Sequence, residues 1–277
     1  MTTTSAARNH QPTEDVVTPP KLLALDFDGV ICDTAHEACR SAWQVCRQIL
    51  PLNGDAPPPE LAAAFVRLRP VVEYGWEFPV LALAILDGMP EATIWDAFQT
   101  TCRQRILEKY GLSPRQFAAR FDAVRDDAIA RSLDDWLAGQ GLYPGMADRL
   151  RTILAEGITV YILTTKEGRF AHKLLATQGV SMPADRVWGK EQARPKPELL
   201  RALAKEHGLA HRDIRFVEDR LKTLQAVERE ADLTNVGLHL ALWGYLMPTD
   251  RDAAARDPRI VPLTLDRFCR DFSQWTR

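Results

Sequence analysis

Hydrophobic and polar positions change their spacing twice along this chain. Residues 22–25 are continuously apolar, as suits a strand buried on both faces. From Asp33 onward, for about a hundred residues, the spacing becomes helical. Ala38, Ala42, Val45, Cys46 and Ile49 mark one face of a helix over 36–50, which Pro51 stops. Further helices are expected over 60–68, 80–86 and 91–110. Ser113 and Gln116 form a capping box with Pro114 at the first helical position, and Phe117, Phe121, Val124 and Ala128 line the helix that follows. A last set, Leu133, Trp136 and Leu137, ends at Gly139. No strand is expected in this stretch, which should carry a small core of its own.

Past the turn 141–145 the spacing changes again. Beta-rich runs at 158–163, 187–188, 214–217, 238–243 and 259–263 alternate with helical runs at 146–156, 168–177, 198–207 and 221–228. That alternation predicts a parallel sheet with helices on both faces. The expected fold class is α/β: a Rossmann-like parallel-sheet core plus an inserted all-helical segment. Residues 21–33 and 140–277 would form the core, 34–139 the insert, and 1–20 a flexible tail.

Composition adds exclusions. The chain has 277 residues, enough for one large domain or two modest ones, and its net charge of -2 argues against nucleic acid or an acidic membrane as partner. Five cysteines, an odd number with no Cys-x-x-Cys, argue against a disulfide framework and for a reducing compartment. No apolar run reaches membrane-spanning length. The first twenty residues lack the apolar centre of a signal peptide, so a cytoplasmic location is expected. Nothing in the chain marks an oligomeric state.

The candidate chemistry starts where the first strand ends. Asp26 and Asp28 stand two apart, with Gly29 behind them. Two carboxylates at the end of a buried strand repel each other, so a proton or a cation must offset their charge. Gly29 permits a sharp turn and close backbone approach to a ligand. Three later strand ends carry polar residues: Thr164-Thr165-Lys166, Arg194-Pro-Lys-Pro-Glu198, and Glu218-Asp219.

Taken in order, these four segments resemble the signature of the haloacid dehalogenase-like hydrolase superfamily, over about residues 21–270. The resemblance implies an aspartate nucleophile at Asp26 and a general acid and base at Asp28. It implies a phosphoryl-binding hydroxyl at Thr164, a cation in the third segment, and Mg2+ held by the Asp26 carboxylate, the Asp28 carbonyl and Asp219, with Glu218 reaching it through water. An acid at position 28 is similar to the phosphotransferase branch, whereas the dehalogenases lack it. The third segment departs from the usual Lys-Pro-x-Pro. Matching its prolines favours Arg194, while Lys196, two residues on in an extended stretch, faces the same side and stays a candidate. The second acid sometimes found four residues after Asp219 is absent, since Thr223 stands there.

The helical insert is similar to the type-one cap of that superfamily. Arg67, Arg69, Glu73, Tyr74 and Trp76 fall in an inter-helical loop as candidates for substrate contact, of which Arg69 is carried forward with Thr165 and Lys166. The implied activity is a magnesium-dependent phosphomonoester hydrolase acting on a small phosphorylated metabolite, similar to phosphoglycolate phosphatases. Alternatives are a phosphomutase resembling beta-phosphoglucomutase, a phosphonatase-like enzyme (disfavoured because Lys109 is the lone lysine of the insert), and a non-catalytic phosphometabolite-binding protein. His207 and His211 are four apart, but no His-Glu-x-x-His accompanies them. The loop 243–248 is expected to pack along the rim of the cleft.

Overall fold

The computed structural model describes residues 18–276, so most of the expected tail lies outside the described residues. The first strand, β1 (Leu22–Leu25), leads through a tight turn to β2 (Cys32–Asp33). The insert follows as α1 (Ala35–Ile49), α2 (Pro59–Leu68), α3 (Glu77–Leu86), α4 (Glu91–Ala97), α5 (Arg103–Tyr110), α6 (Pro114–Arg131) and α7 (Leu133–Ala138). Then β3 (Gly141–Leu142) pairs antiparallel with β2. The path into the insert and the path out of it thus form one small ribbon. Strands of two residues are too short to show alternation, and this ribbon has no counterpart among the expected elements.

The remainder alternates: α8 (Met146–Ala155), β4 (Thr159–Leu163), α9 (Gly168–Thr177), β5 (Val187–Trp188), α10 (Lys196–Glu206), β6 (Ile214–Glu218), α11 (Leu221–Glu228), β7 (Gly237–Ala241), α12 (Asp250–Arg256), β8 (Ile260–Leu263) and α13 (Leu265–Phe268), of which α12 and α13 are not among the expected helices. Six strands pair in parallel in the order β5-β4-β1-β6-β7-β8. Alternate residues of β1 serve opposite faces. Leu23 and Leu25 join Val160, Ile162 and Val217 against α8 and α9, while Leu22 and Ala24 join Tyr161, Phe216 and Leu238 against α10 and α11. Each fully buried leucine contributes about 2 kcal/mol, which is why β1 is apolar without interruption. The first face is closed by Phe268, Phe272 and Trp275, with the Trp275 ring centre 5.0 Å from that of Phe268 and 4.7 Å from that of Phe272.

The insert has its own apolar cluster, built on Trp43, Phe65, Phe98, Phe117 and Phe121. Trp136 and Leu137 of α7 belong instead to the cluster under the sheet. The single helix expected over 91–110 is interrupted by a π turn at Phe98–Cys102. Ile94, Phe98, Cys102 and Ile106 are all buried. Their spacing of four exceeds the 3.6-residue turn, and the wider turn keeps all four facing inward. Among the described residues the cysteines are free, and no helix is long and apolar enough to cross a membrane. The strand order reverses direction between β1 and β6, the place where open parallel sheets bind ligands beyond the carboxyl ends of their strands.

Candidate active site

Asp26 directly follows β1, and its N–H donates to the Val217 carbonyl of β6 at 3.0 Å. Glu218 ends β6 and Asp219 follows it. Asp26, Glu218 and Asp219 are buried and offer carboxylate oxygens within 4.8 Å of one another. Backbone geometry packs them this tightly. Gly29 has a φ of +94°, and a Cβ there would stand 2.0 Å from Asp219 Oδ2. Only glycine gives both the turn and the room. Gly244 presses from the other side, where a Cβ would lie 2.3 Å from that of Asp219.

Such crowding has an electrostatic consequence. Burial raises the Asp26 carboxyl to about 6, with Lys196 opposing the rise and Asp219 adding to it. Burial and then Asp26 push Glu218 well above the usual carboxylate range. Asp219 is raised by burial too, against the pull of Arg220. Three hard oxygen donors whose negative charge is held back by burial fit a divalent cation such as Mg2+.

Lys196 supplies the local positive charge. Its Nζ donates to Asp26 Oδ1 at 2.5 Å, lies 3.7 Å from Glu218 Oε2, and also meets the Leu163 carbonyl. Burial pulls this ammonium down, but Asp26 and Glu218 outweigh burial and its pKa ends raised. The preference for Arg194 is therefore corrected. Arg194 is exposed, its Nη2 donating to Gln192 Oε1 at 2.9 Å and its guanidinium lying 5.7 Å from the Trp188 ring centre. The reason is local. Ala193 takes a left-handed φ of 49°, which turns the chain, and Lys196 already begins α10. The extended stretch needed for both cations to face one side is absent.

Asp28 lines the same cleft, 3.3 Å from Lys166 Nζ. Lys166 also donates to Gln140 Oε1 at 2.7 Å and lines the cleft. Thr164 is buried at the end of β4, where its hydroxyl accepts from the Lys166 N–H at 3.1 Å and keeps its own proton to donate. Its neighbour Thr165 is exposed and lines the cleft.

Above these residues a cavity of about 1200 Å³ separates the sheet from the insert. Arg69 lines it, buried between Tyr245 (4.3 Å to the ring centre) and Phe78 (4.8 Å), with Nη1 donating to the Val72 carbonyl at 3.2 Å. Its Nε is sealed without a partner. Arg220 crosses in the other direction, donating to the Pro70 carbonyl at 3.5 Å and to the Val72 carbonyl. Glu73, Tyr74 and Trp76 line the cavity, whereas Arg67 pairs with Glu91 at 2.5 Å on the surface. His207 and His211 bond separately to the Tyr161 hydroxyl and the Asp232 carbonyl. Sequence reasoning missed Arg220, Gln140 and Tyr245. Arg220 adjoins a recognised acid and could have been flagged; Gln140 and Tyr245 carry no local signal.

Comparison with known proteins gives a consistent picture. A family model described as haloacid dehalogenase-like hydrolase matches residues 20–229. No curated protein matches. Among solved structures, a protein of Lactobacillus delbrueckii subsp. bulgaricus assigned as a phosphoglycolate phosphatase is 16% identical, with 89% of this chain and 95% of that one covered at a TM-score of 0.56. A protein of Bacteroides fragilis assigned as a haloacid dehalogenase-like hydrolase is 18% identical, with 89% and 98% covered at 0.55. A family hydrolase of Deinococcus radiodurans R1, solved with bound phosphate and sodium, is 17% identical, with 88% and 92% covered at 0.50. At these identities the likeness is one of fold.

Proposed function

Because the chain belongs to the haloacid dehalogenase-like hydrolases, we propose that it is a magnesium-dependent phosphatase of a small phosphorylated metabolite, working through an aspartyl-phosphate on Asp26. The observation that carries this reading is the meeting of Asp26, Glu218, Asp219 and Lys196 at the switch point of the sheet, at the floor of the cleft beneath the insert. Phosphatase assignments among proteins of the same fold support it.

Asp26 attacks phosphorus in line, forming an acyl-phosphate bond as the ester P–O bond breaks. Asp28 gives its proton to the departing alkoxide, then takes one from the water that attacks the acyl-phosphate. The second step releases inorganic phosphate and restores the Asp26 carboxylate. Lys196 and the Thr164 hydroxyl stabilise charge on the phosphoryl oxygens. Mg2+ held by the Asp26 carboxylate, the Asp28 carbonyl and Asp219, with Glu218 behind, would supply further charge neutralisation there. The helical insert acts as the cap, excluding water and reading the leaving group through Arg69, with Thr165 facing the cleft from the sheet side.

A panel of phosphomonoesters with Mg2+, scored by released phosphate, tests the reading. Release that disappears in Asp26→Asn, and falls at least about a hundredfold in Asp28→Asn while phosphate binding persists, is expected. Silence across the panel, or near-normal turnover in Asp28→Asn, would overturn it.

A further inference from the structure

We propose that the phenol of Tyr245 is the pin on which the helical insert is held to the sheet, and that it links the insert's position to Asp219. Tyr245 lies beyond the segment matched by the family model. Its hydroxyl accepts from the N–H of Thr34 at 2.8 Å and of Ala35 at 3.1 Å, and donates to Asp33 Oδ1 at 2.8 Å. These three residues are the passage from β2 into α1. Thr34 is the N-cap of α1, yet its side chain makes no capping bond. The start of the insert is thus capped from outside, by a side chain 211 residues further along. Ala35 has a second acceptor in Asp33 Oδ1 at 3.0 Å, whereas the Thr34 N–H relies on Tyr245.

The same residue grips the site from its backbone. The Tyr245 N–H donates to Asp219 Oδ2 at 2.7 Å. Gly244, packed onto Asp219 and the Gly29 carbonyl with no space for a Cβ, leaves this loop no slack. Above, the guanidinium of Arg69 from the insert lies 4.3 Å from the centre of the Tyr245 ring. One residue therefore touches the linker into the insert, an acid of the site and the insert's buried arginine. Phenylalanine would fill the same space and keep the arginine stack. The hydroxyl is needed for the linker alone, which makes Tyr245 a positioning residue.

Tyr245→Phe, Asp33→Ala and the double variant test this by hydrogen exchange and kinetics. In Tyr245→Phe, exchange at residues 33–36 rises about fivefold or more while the sheet keeps its protection. With Mg2+ alone as probe, the wild type gains protection at 33–36 as well as at 217–220, and Tyr245→Phe gains it at 217–220 only. On the phosphatase reading, kcat per folded molecule falls about tenfold with KM changed less than threefold. Asp33→Ala removes the acceptor of the phenol but leaves the Thr34 and Ala35 N–H groups bonded to it, so exchange at 33–36 rises less than in Tyr245→Phe; the double variant, in which Ala35 loses both acceptors, exceeds either single. Unchanged exchange at 33–36 in Tyr245→Phe, or equal Mg2+ protection of the linker in variant and wild type, would overturn the proposal. If Mg2+ protects neither 26–29 nor 217–220 in the wild type, the metal reading fails instead; the metal-free exchange still decides the pin. Should Tyr245→Phe not fold, Asp33→Ala, which removes the acceptor of the phenol, carries the exchange measurement at 33–36.

Discussion

Replacing Lys196 by methionine keeps the stem and removes the charge. The ammonium stands 2.5 Å from Asp26 and 3.7 Å from Glu218, with 13% of its side chain exposed. At an effective dielectric of about 20, unit charges at such separations attract by roughly 4–7 kcal/mol each. Breaking a buried pair costs less than the sum, about 3–5 kcal/mol, because the remaining acids take up protons. The same cation faces the position of the transferring phosphoryl group, where loss of one preorganised donor lowers kcat about 10² to 10³-fold. The assay is hydrolysis of a chromogenic phosphomonoester at saturating Mg2+, with thermal melts in parallel. Arg194→Ala is the control. Its guanidinium is exposed and bonded to Gln192, so activity should stay within about twofold of wild type, as for other surface changes. Activity of Lys196→Met within tenfold of wild type, or collapse of activity in Arg194→Ala, would refute the assignment.

Two further outcomes follow from the packing. In Gly29→Ala the new Cβ would meet Asp219 Oδ2 at 2.0 Å with φ at +94°; a cost of about 1–3 kcal/mol, and loss of the stabilisation that Mg2+ gives the wild type, should appear in melting curves with and without the ion. A variant that melts like the wild type and gains as much from Mg2+ would contradict the close approach. His239 is held down to about 3 by burial, with Arg215 adding to the effect. The unfolded chain binds its proton near 6.5 and the folded chain does not, so stability is full above that pH and falls toward pH 3, by up to about 1.4 kcal/mol per pH unit. Urea unfolding between pH 6.5 and 4.5 should show this slope in the wild type and a flatter one in His239→Leu; identical slopes would rule His239 out as its source.

Much of the fold was legible because its signals are local. The unbroken apolar run of β1 and the β-then-helix alternation after Gly141 fix the parallel sheet, and α9 and α11 run over the expected residues. Asp26 and Asp219 were singled out because acids at the ends of apolar strands are costly without a purpose, and the structure brings them together with Glu218. Arg194 was misread because matching prolines aligns letters, while the left-handed turn at Ala193 decides which side chain points inward. Tyr245 was read as part of a rim loop. Its partners Thr34 and Asp219 lie 211 and 26 residues away, a relation that no window of neighbouring residues contains. The β2–β3 ribbon was invisible for the same reason.

The sheet order also sets a timetable for the growing polypeptide. Helices α1 to α6 draw their core from one contiguous stretch, residues 38–124, and can settle while synthesis continues. β1 cannot: its neighbours β4 and β6 begin at Thr159 and Ile214, and Phe268 to Trp275 cover one of its faces. The strand that carries Asp26 emerges ahead of the insert and is enclosed after it. In refolding followed by pulsed hydrogen exchange, amides of α1 and α3 should be protected before those of β1; the reverse order would mean that the long-range pairings form without waiting for the insert.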